Sequence, residues 1–185
     1  MYTALGIHPS DARLIDDLDG ALAEIEEMIL DKSSKCVALG EIGLDYHYDG
    51  YDADLQKKIF EEQLDLAAEL DLPVVIHSRD ATEDTLNILR KRGRVNGVMH
   101  CFSGSAETAR QMLDLGLHIS FTGVLTFKNA KKAIGALGVT PLDKLLLETD
   151  CPYMAPEPNR GKRCDSSMIV HVIDKIAAEK GITPE

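Results

Sequence analysis

Six short apolar runs punctuate the chain, and each is followed by a longer stretch in which apolar positions return every three or four residues. The runs are YTALGIH from Tyr2, CVALGEIGLD from Cys36, PVVIHSR from Pro73, NGVMHCFSG from Asn96, LHISFTG from Leu117 and KLLLETDCP from Lys144. They are rich in β-branched residues and leucine, and several are continuously apolar, which is the pattern of strands covered on both faces. Helical spacing fills the intervals: Leu14, Leu18, Leu22 and Ile25 recur after the first run, and Ile59, Gln63, Leu66, Ala67 and Leu70 after the second. Ser10 or Asp11 is placed to cap the first helix, Asp80 the third, and Ser103 or Ser105 the fourth. A short fifth helix is expected near Lys128 to Leu137, and a last one from about Ser166 to Ala178. Alternation of strand and helix without hairpin signals predicts an α/β fold, a parallel sheet with helical crossovers.

The apolar runs share a second property: they end in polar or reactive residues. These are His8, then Glu41 and Asp45, His77 and Arg79, His100 and Ser103, and finally Glu148 and Asp150. A doubly wound sheet concentrates its chemistry at one crevice, whereas a parallel barrel carries it on the C-terminal ends of all its strands. Such residues at strand end after strand end predict a (β/α)8 TIM barrel. No glycine-rich phosphate loop of the GxGxxG or GxxxxGK[ST] kind is present, which weighs against a nucleotide cofactor. About six βα units can be counted where a complete barrel has eight and typically runs to about 250 residues. The expectation is therefore an incomplete barrel, with one or two units absent upstream and a short piece absent after Glu185.

Composition narrows the picture further. With 185 residues, 44% hydrophobic and 28% charged, the chain reads as one globular domain over residues 1–185, neither a disordered tail nor a membrane protein. No stretch approaches the ~20 apolar residues of a spanning helix, and the start, MYTALGIHPSDA, lacks a basic region followed by a hydrophobic one. No membrane partner and a cytoplasmic location are expected. Lys and Arg total 20 against 31 Asp and Glu, a formal net charge of -11, which argues against a broad basic face gripping nucleic acid. A phosphate-bearing substrate stays compatible where metal ions bring the positive charge. Cys36, Cys101, Cys151 and Cys164 show no CxxC spacing and are expected to be buried small hydrophobes rather than disulfides.

Glu41, His77, His100 and Asp150 form a set of two imidazoles and two carboxylates, each at the end of a different strand. Any one of them alone reads as a hydrogen-bonded core residue. Four ionisable groups at strand ends are costly to bury unless paired or bound to metal, so together they suit a divalent ion, or two ions bridged by a carboxylate. Other positions carry two readings each. His8, before Pro9, is either a contact to a substrate phosphate or a structural hydrogen bond within its loop. Arg79 and Arg160 either clamp phosphate or make ordinary ion pairs in an acidic protein. Asp45 reads as an orienting partner of a ligand, and His47, His118 and His171 as surface or helix-face residues.

The motifs GIHPSDA at Gly6 to Ala12, GEIGLDY at Gly40 to Tyr46, VVIHSRDA at Val74 to Ala81, MHCFSGS at Met99 to Ser105, SFTG at Ser120 to Gly123, ETDCPY at Glu148 to Tyr153 and RGKR at Arg160 to Arg163 follow one another in this order. In that order they resemble the TatD-like metal-dependent deoxyribonucleases, over essentially the whole chain. The resemblance implies a barrel of the metal-dependent hydrolase type that cleaves phosphodiester bonds of DNA at a centre of one or two divalent ions (Mg, Mn or Zn). It implies further that Glu41 bridges both metals, that His77 and His100 hold one of them, and that Asp150 binds the other and acts as general base toward the attacking water. Two departures accompany it: the family's opening strand with its His-x-His pair has no counterpart, and Cys164 stands where the family usually has Asn after RGKR. By the same resemblance the first metal site keeps Glu41 and Asp150, while the Glu41, His77 and His100 site keeps its protein ligands. Three readings follow: a deoxyribonuclease with DNA as substrate, an amide or ester hydrolase on the same metal site, and a catalytically impaired or binding remnant. Strand edges left by the missing units would also favour self-association.

Overall fold

The computed structural model describes residues 1–184. The chain divides into two compact units, Met1–Val98 and Met99–Glu185, each with a core of its own. In the first unit the strands β1 (Thr3–Leu5), β2 (Cys36–Asp45) and β3 (Val74–Arg79) pair in parallel, β1 with β2 and β2 with β3. Helices α1 (Leu18–Leu30), α2 (Ala53–Glu69) and α3 (Thr82–Arg92) follow them in turn. Strand β4 (Gly97–Met99) falls at the boundary. The second unit continues with α4 (Ala106–Asp114), β5 (His118–Phe121), α5 (Lys131–Val139), β6 (Leu145–Leu147) and α6 (Ile169–Lys180), and β5 pairs with β6 in parallel. The six strands and six helices are those the hydrophobic pattern predicts, in an α/β arrangement.

Leu39, Ile42, Leu44, Phe60, Ile76 and Leu89 are fully buried in the first unit, as are Leu117, Ile119, Phe121, Ala136, Leu137 and Val172 in the second. Phe102 meets Phe121 edge to face, with centroids 6.5 Å apart. Helix ends follow local chemistry. Asp52 Oδ1 accepts from the Leu55 N–H at 3.0 Å and opens α2, and Ser105 Oγ accepts from the Thr108 N–H at 3.1 Å and opens α4. Helix α3 has Glu83 and Asp84 in its first turn and Arg90, Lys91 and Arg92 in its last, the order the helix dipole favours.

The first helix begins later than the spacing predicts. Residues Pro9–Leu14 form a 3-10 helix whose first N–H groups are met by His8, and α1 starts only at Leu18, capped by Asp17 Oδ1 on the Gly20 N–H at 3.1 Å. Ser10 and Asp11 therefore cap nothing in α1. Leu14, at the end of the tight turn, is 76% exposed, while Leu18, Leu22 and Ile25 pack over Ile7, Ala12 and Ile59. Asp80 does not cap α3 either; its φ of 54° turns its carboxylate to His47 Nδ1 at 2.9 Å.

Helix α2 bears two buried glutamines seven residues apart, hence on one face. Gln63 Oε1 accepts from the Ile7 N–H at 2.6 Å and its Nε2 donates to the Ile7 carbonyl at 3.1 Å. Gln56 does the same for Asp45, at 2.8 Å and 2.9 Å. Each amide serves the backbone as a neighbouring strand would, just where the ladder stops. Gln63→Leu leaves two buried backbone groups without partners, each worth about 1–3 kcal/mol. Its unfolding free energy in urea should fall by about 2–4 kcal/mol, against less than about 1 kcal/mol for the control Glu62→Gln, which alters no such buried pair.

Candidate metal centres

In the first unit, His8, Glu41 and His77 bring ligand atoms within 4.8 Å of one another. The register explains the meeting of the last two. Glu41, Gly43 and Asp45 are alternate residues of β2, and β2 sets Gly43 against His77 and Asp45 against Arg79. Gly43 has a φ of 138°, and a Cβ there would collide with the His77 carbonyl, so only glycine lets the two backbones come this close. The His77 ring consequently lies between two carboxylates: Nδ1 is 2.8 Å from Glu41 Oε1 and Nε2 is 3.1 Å from Asp45 Oδ2. Asp45 is buried and also accepts from the His47 N–H at 2.9 Å. Ionised carboxylates only accept, and a neutral imidazole has one proton for its two nitrogens, so the group has more acceptors than protons and suits a cation.

His8 stands edge-on to His77, with centroids 4.7 Å apart. Burial, then the adjacent His77, holds its imidazole below the ordinary histidine value. Its Nδ1 accepts from the Ser10 N–H at 3.1 Å. A backbone N–H can only donate, so neutral His8 carries its proton on Nε2 and presents an N–H donor there rather than a lone pair. Arg79 has no carboxylate within ion-pair distance among the described residues; it lies over the Tyr48 ring at 5.4 Å and donates to the Tyr48 hydroxyl at 3.4 Å. A cavity of about 250 Å³ borders Asp45 and is lined by Pro9, Arg13, Tyr48 and Tyr51.

In the second unit, His100, Cys101 and Asp150 form the corresponding group, again within 4.8 Å. Glu148, two residues before Asp150 along the chain, organises it. Its Oε2 is 2.5 Å from His100 Nδ1 and its Oε1 accepts from the Cys101 N–H at 2.6 Å. The carboxylate accepts a hydrogen bond from Nδ1–H, which in the neutral ring leaves the Nε2 lone pair on the side of Asp150 Oδ1, 3.8 Å away, the carboxylate–histidine arrangement that orients metal ligands. Reading the strand ends along the chain passes over Glu148 as a site residue; its alternation with Asp150 in ETD is the signal that could find it.

The structure thus joins Glu41 with His77, and His100 with Asp150; Asp45, read from the sequence as an orienting partner, contacts His77, and Glu148 is added as the partner of His100. Arg160, in the second unit, stacks on Phe127 at 3.6 Å, with no carboxylate partner among the described residues. The cysteines are free thiols, but only Cys164 is buried; Cys151 is exposed, because it lies in the irregular loop after β6 rather than in the apolar run before it.

Histidines and carboxylates gathered in the C-terminal halves of parallel strands, or just beyond them, define the class: a metal-dependent enzyme on an α/β scaffold. The family described as TatD related DNase matches residues 1–185. A metal-dependent hydrolase of Bacillus subtilis (strain 168), YabD, is 48% identical over 187 residues, covering 100% of this chain and 72% of that protein. YcfH of Escherichia coli (strain K12), of the same description, is 42% identical over 97% of this chain and covered to 66%. The crystal structure of YJJV, a TatD homolog from Escherichia coli K12, superposes with a TM-score of 0.86 at 34% identity, over 96% of this chain and 68% of that one. A TatD family hydrolase from Entamoeba histolytica gives 0.84 at 25% identity, over 99% and 69%. The chain belongs to the TatD related DNase family of metal-dependent hydrolases, and it spans about two thirds of the length of YcfH.

Replacing either ligand histidine should weaken metal binding. Titration calorimetry with Zn²⁺ is expected to show at least about a tenfold loss for His77→Ala and for His100→Ala, and about 10–100-fold for Glu148→Gln, since orienting carboxylates are worth that much. A His77→Ala, His100→Ala double variant that binds as tightly as the parent contradicts the assignment.

Proposed function

We propose that the chain acts as a metal-dependent deoxyribonuclease, hydrolysing phosphodiester bonds of DNA with a water that Asp150 deprotonates. The observation behind this reading is the pairing of imidazole and carboxylate at strand ends in both units, in a member of the TatD related DNase family. The donor set fits a divalent ion. Glu41 with His77 in the first unit would hold one such ion and His100 with Asp150 in the second another, and mixed imidazole and carboxylate donors suit Mg, Mn or Zn. Such an ion supplies Lewis acidity toward a phosphoryl oxygen and acidifies water.

The chain's own residues carry the remaining work. Asp150, its side chain 32% exposed, accepts a proton from the attacking water. Glu148 holds the His100 ring, so that its orientation costs nothing when substrate arrives. His8, neutral and with its proton on Nε2, donates to a non-bridging phosphate oxygen. Arg79 and Arg160, neither engaged by a carboxylate among the described residues, each offer guanidinium N–H groups to phosphate oxygens. His47, by contrast, is engaged by Asp80 and takes no part.

Asp150→Asn keeps the shape of the side chain but removes the base. Cleavage of a single-stranded oligodeoxynucleotide in Mg²⁺ or Mn²⁺ should drop at least about 100-fold, with the thermal unfolding temperature unchanged. A variant within about tenfold of the parent places the base elsewhere. Turnover of p-nitrophenyl acetate or an anilide without cleavage of DNA would assign the site to ester or amide hydrolysis instead.

A further inference from the structure

The four cysteines meet two kinds of surroundings. Cys36 Sγ donates to the Ala38 carbonyl at 3.2 Å, and Cys101 Sγ lies 3.6 Å from Thr122 Oγ1, so each of these thiols meets an oxygen of the protein. Cys151 and Cys164, both in the second unit, meet each other, thiol against thiol in hydrogen-bonding contact. Their access to solvent differs. Cys151 is exposed in the loop after β6, whereas Cys164 is 3% exposed and its Sγ also reaches the Asp165 carbonyl at 3.7 Å.

The backbone holds the two sulfurs together. The Cys164 N–H bonds the Pro152 carbonyl at 3.0 Å, which pins the residue after Cys151 against Cys164. Segment 152–163 between them is folded on itself: the Tyr153 N–H reaches the Asp150 carbonyl at 2.7 Å, the Asn159 N–H the Pro156 carbonyl at 2.6 Å and the Lys162 N–H the Asn159 carbonyl at 3.1 Å, with Gly161 at a φ of 83° in the last turn. Gly123 seats the segment, since a Cβ there would stand 2.3 Å from the Met154 carbonyl oxygen. The chain entropy that a bond across a mobile segment has to overcome is therefore already lost on folding. Burial, then the contact with Cys151, pushes the Cys164 thiol up to about 11, so that on its own it stays protonated and inert toward solvent oxidants. Apolar packing does not account for the other thiol, which is exposed between Asp150 and Pro152.

We infer that Cys151 and Cys164 are a reversible disulfide site, oxidised by low-molecular-weight disulfides through the exposed Cys151 and resolved by the buried Cys164. Cys151 gives up its proton and attacks one sulfur of the oxidant; the oxidant's S–S bond breaks, and one small thiol leaves with that proton. The Cys164 sulfur then attacks the Cys151 sulfur of the mixed disulfide, the protein S–S bond forms, and the second small thiol leaves with the Cys164 proton. The protein loses two protons and two electrons, and the oxidant gains both as two thiols. Disulfides with an accessible sulfur are the labile kind rather than the structural kind, and this bond closes a ring that begins at the residue next to Asp150. The site stands whether or not the chain hydrolyses DNA.

The test treats the reduced chain with oxidised glutathione in EDTA, which keeps metal ions off the thiols, and reads the product by thiol titration in denaturant, intact mass and peptide mapping. Of the four thiols, two should be lost. The mass should fall by two hydrogens with no glutathione retained, the linked peptides should carry Cys151 and Cys164, and dithiothreitol should restore all four thiols. The two single variants separate the roles. Cys164→Ser should stop at a stable mixed disulfide, heavier by one glutathionyl group on Cys151. Cys151→Ser, altered only at an exposed position, should leave Cys164 reduced. Circular dichroism melting checks that both variants fold. Three results overturn the inference: a parent that keeps all four thiols, a parent that retains glutathione on Cys151 as Cys164→Ser does, and a bond that joins Cys36 or Cys101 instead.

Discussion

A neutral imidazole between two carboxylates has one proton for two acceptors, and the register of the first unit puts His77 in that position. Gly43 supplies the reason. Lying opposite His77 in the register, with a φ that side chains rarely adopt, it brings β2 and β3 together and leaves Glu41 and Asp45 on either side of the ring. The supporting structure serves the same end. The Gln56 and Gln63 amides of α2 replace a strand for Asp45 and Ile7, which carry the carboxylate behind His77 and the chain into His8. Rigid partners of this kind turn a loose set of side chains into an ordered group able to hold a cation.

The second unit reaches a similar result by other means. There a strand end, ETD, contributes both carboxylates: Glu148 fixes the tautomer and orientation of His100, and Asp150 stands on the far side of the ring. The two carboxylates differ because Glu148 is taken up by two donors, the ring and the Cys101 N–H, whereas the Asp150 side chain is 32% exposed and stands 3.8 Å from His100 Nε2. One carboxylate is taken up by donors and the other is not, a division set by environment and not by residue type.

Much of this is legible in the sequence. Apolar runs ending in His, Glu or Asp mark the strand ends, because a continuously apolar strand must stop where its covered faces stop, and reactive groups appear there. His100 and Asp150 are found in that way, while Glu41 and His77, expected at strand ends, lie inside β2 and β3 and stand out as ionisable groups within apolar runs. Partnerships are not, since nothing along the chain states that Glu148 meets His100 or that Gln63 meets Ile7, 56 residues away; such contacts come from register and helix docking. The start of α1 is misplaced by capping signals alone because a 3-10 turn satisfied by His8 uses the same residues that open an α-helix. The net charge of -11 points away from a broad basic face, and a sum over the chain carries no information on where individual cations lie.

The central claim is that the two groups of side chains are metal ligands. Anomalous diffraction from crystals soaked in Mn²⁺ or Zn²⁺, collected on both sides of the metal edge, locates the ions directly. The account predicts anomalous peaks at about 2.0–2.2 Å from donor atoms of Glu41 and His77 and of His100 and Asp150, with Glu148 still bonded to His100 Nδ1. Peaks confined to exposed carboxylates elsewhere, or none at saturating metal in crystals whose strand ends are open to solvent, would contradict it.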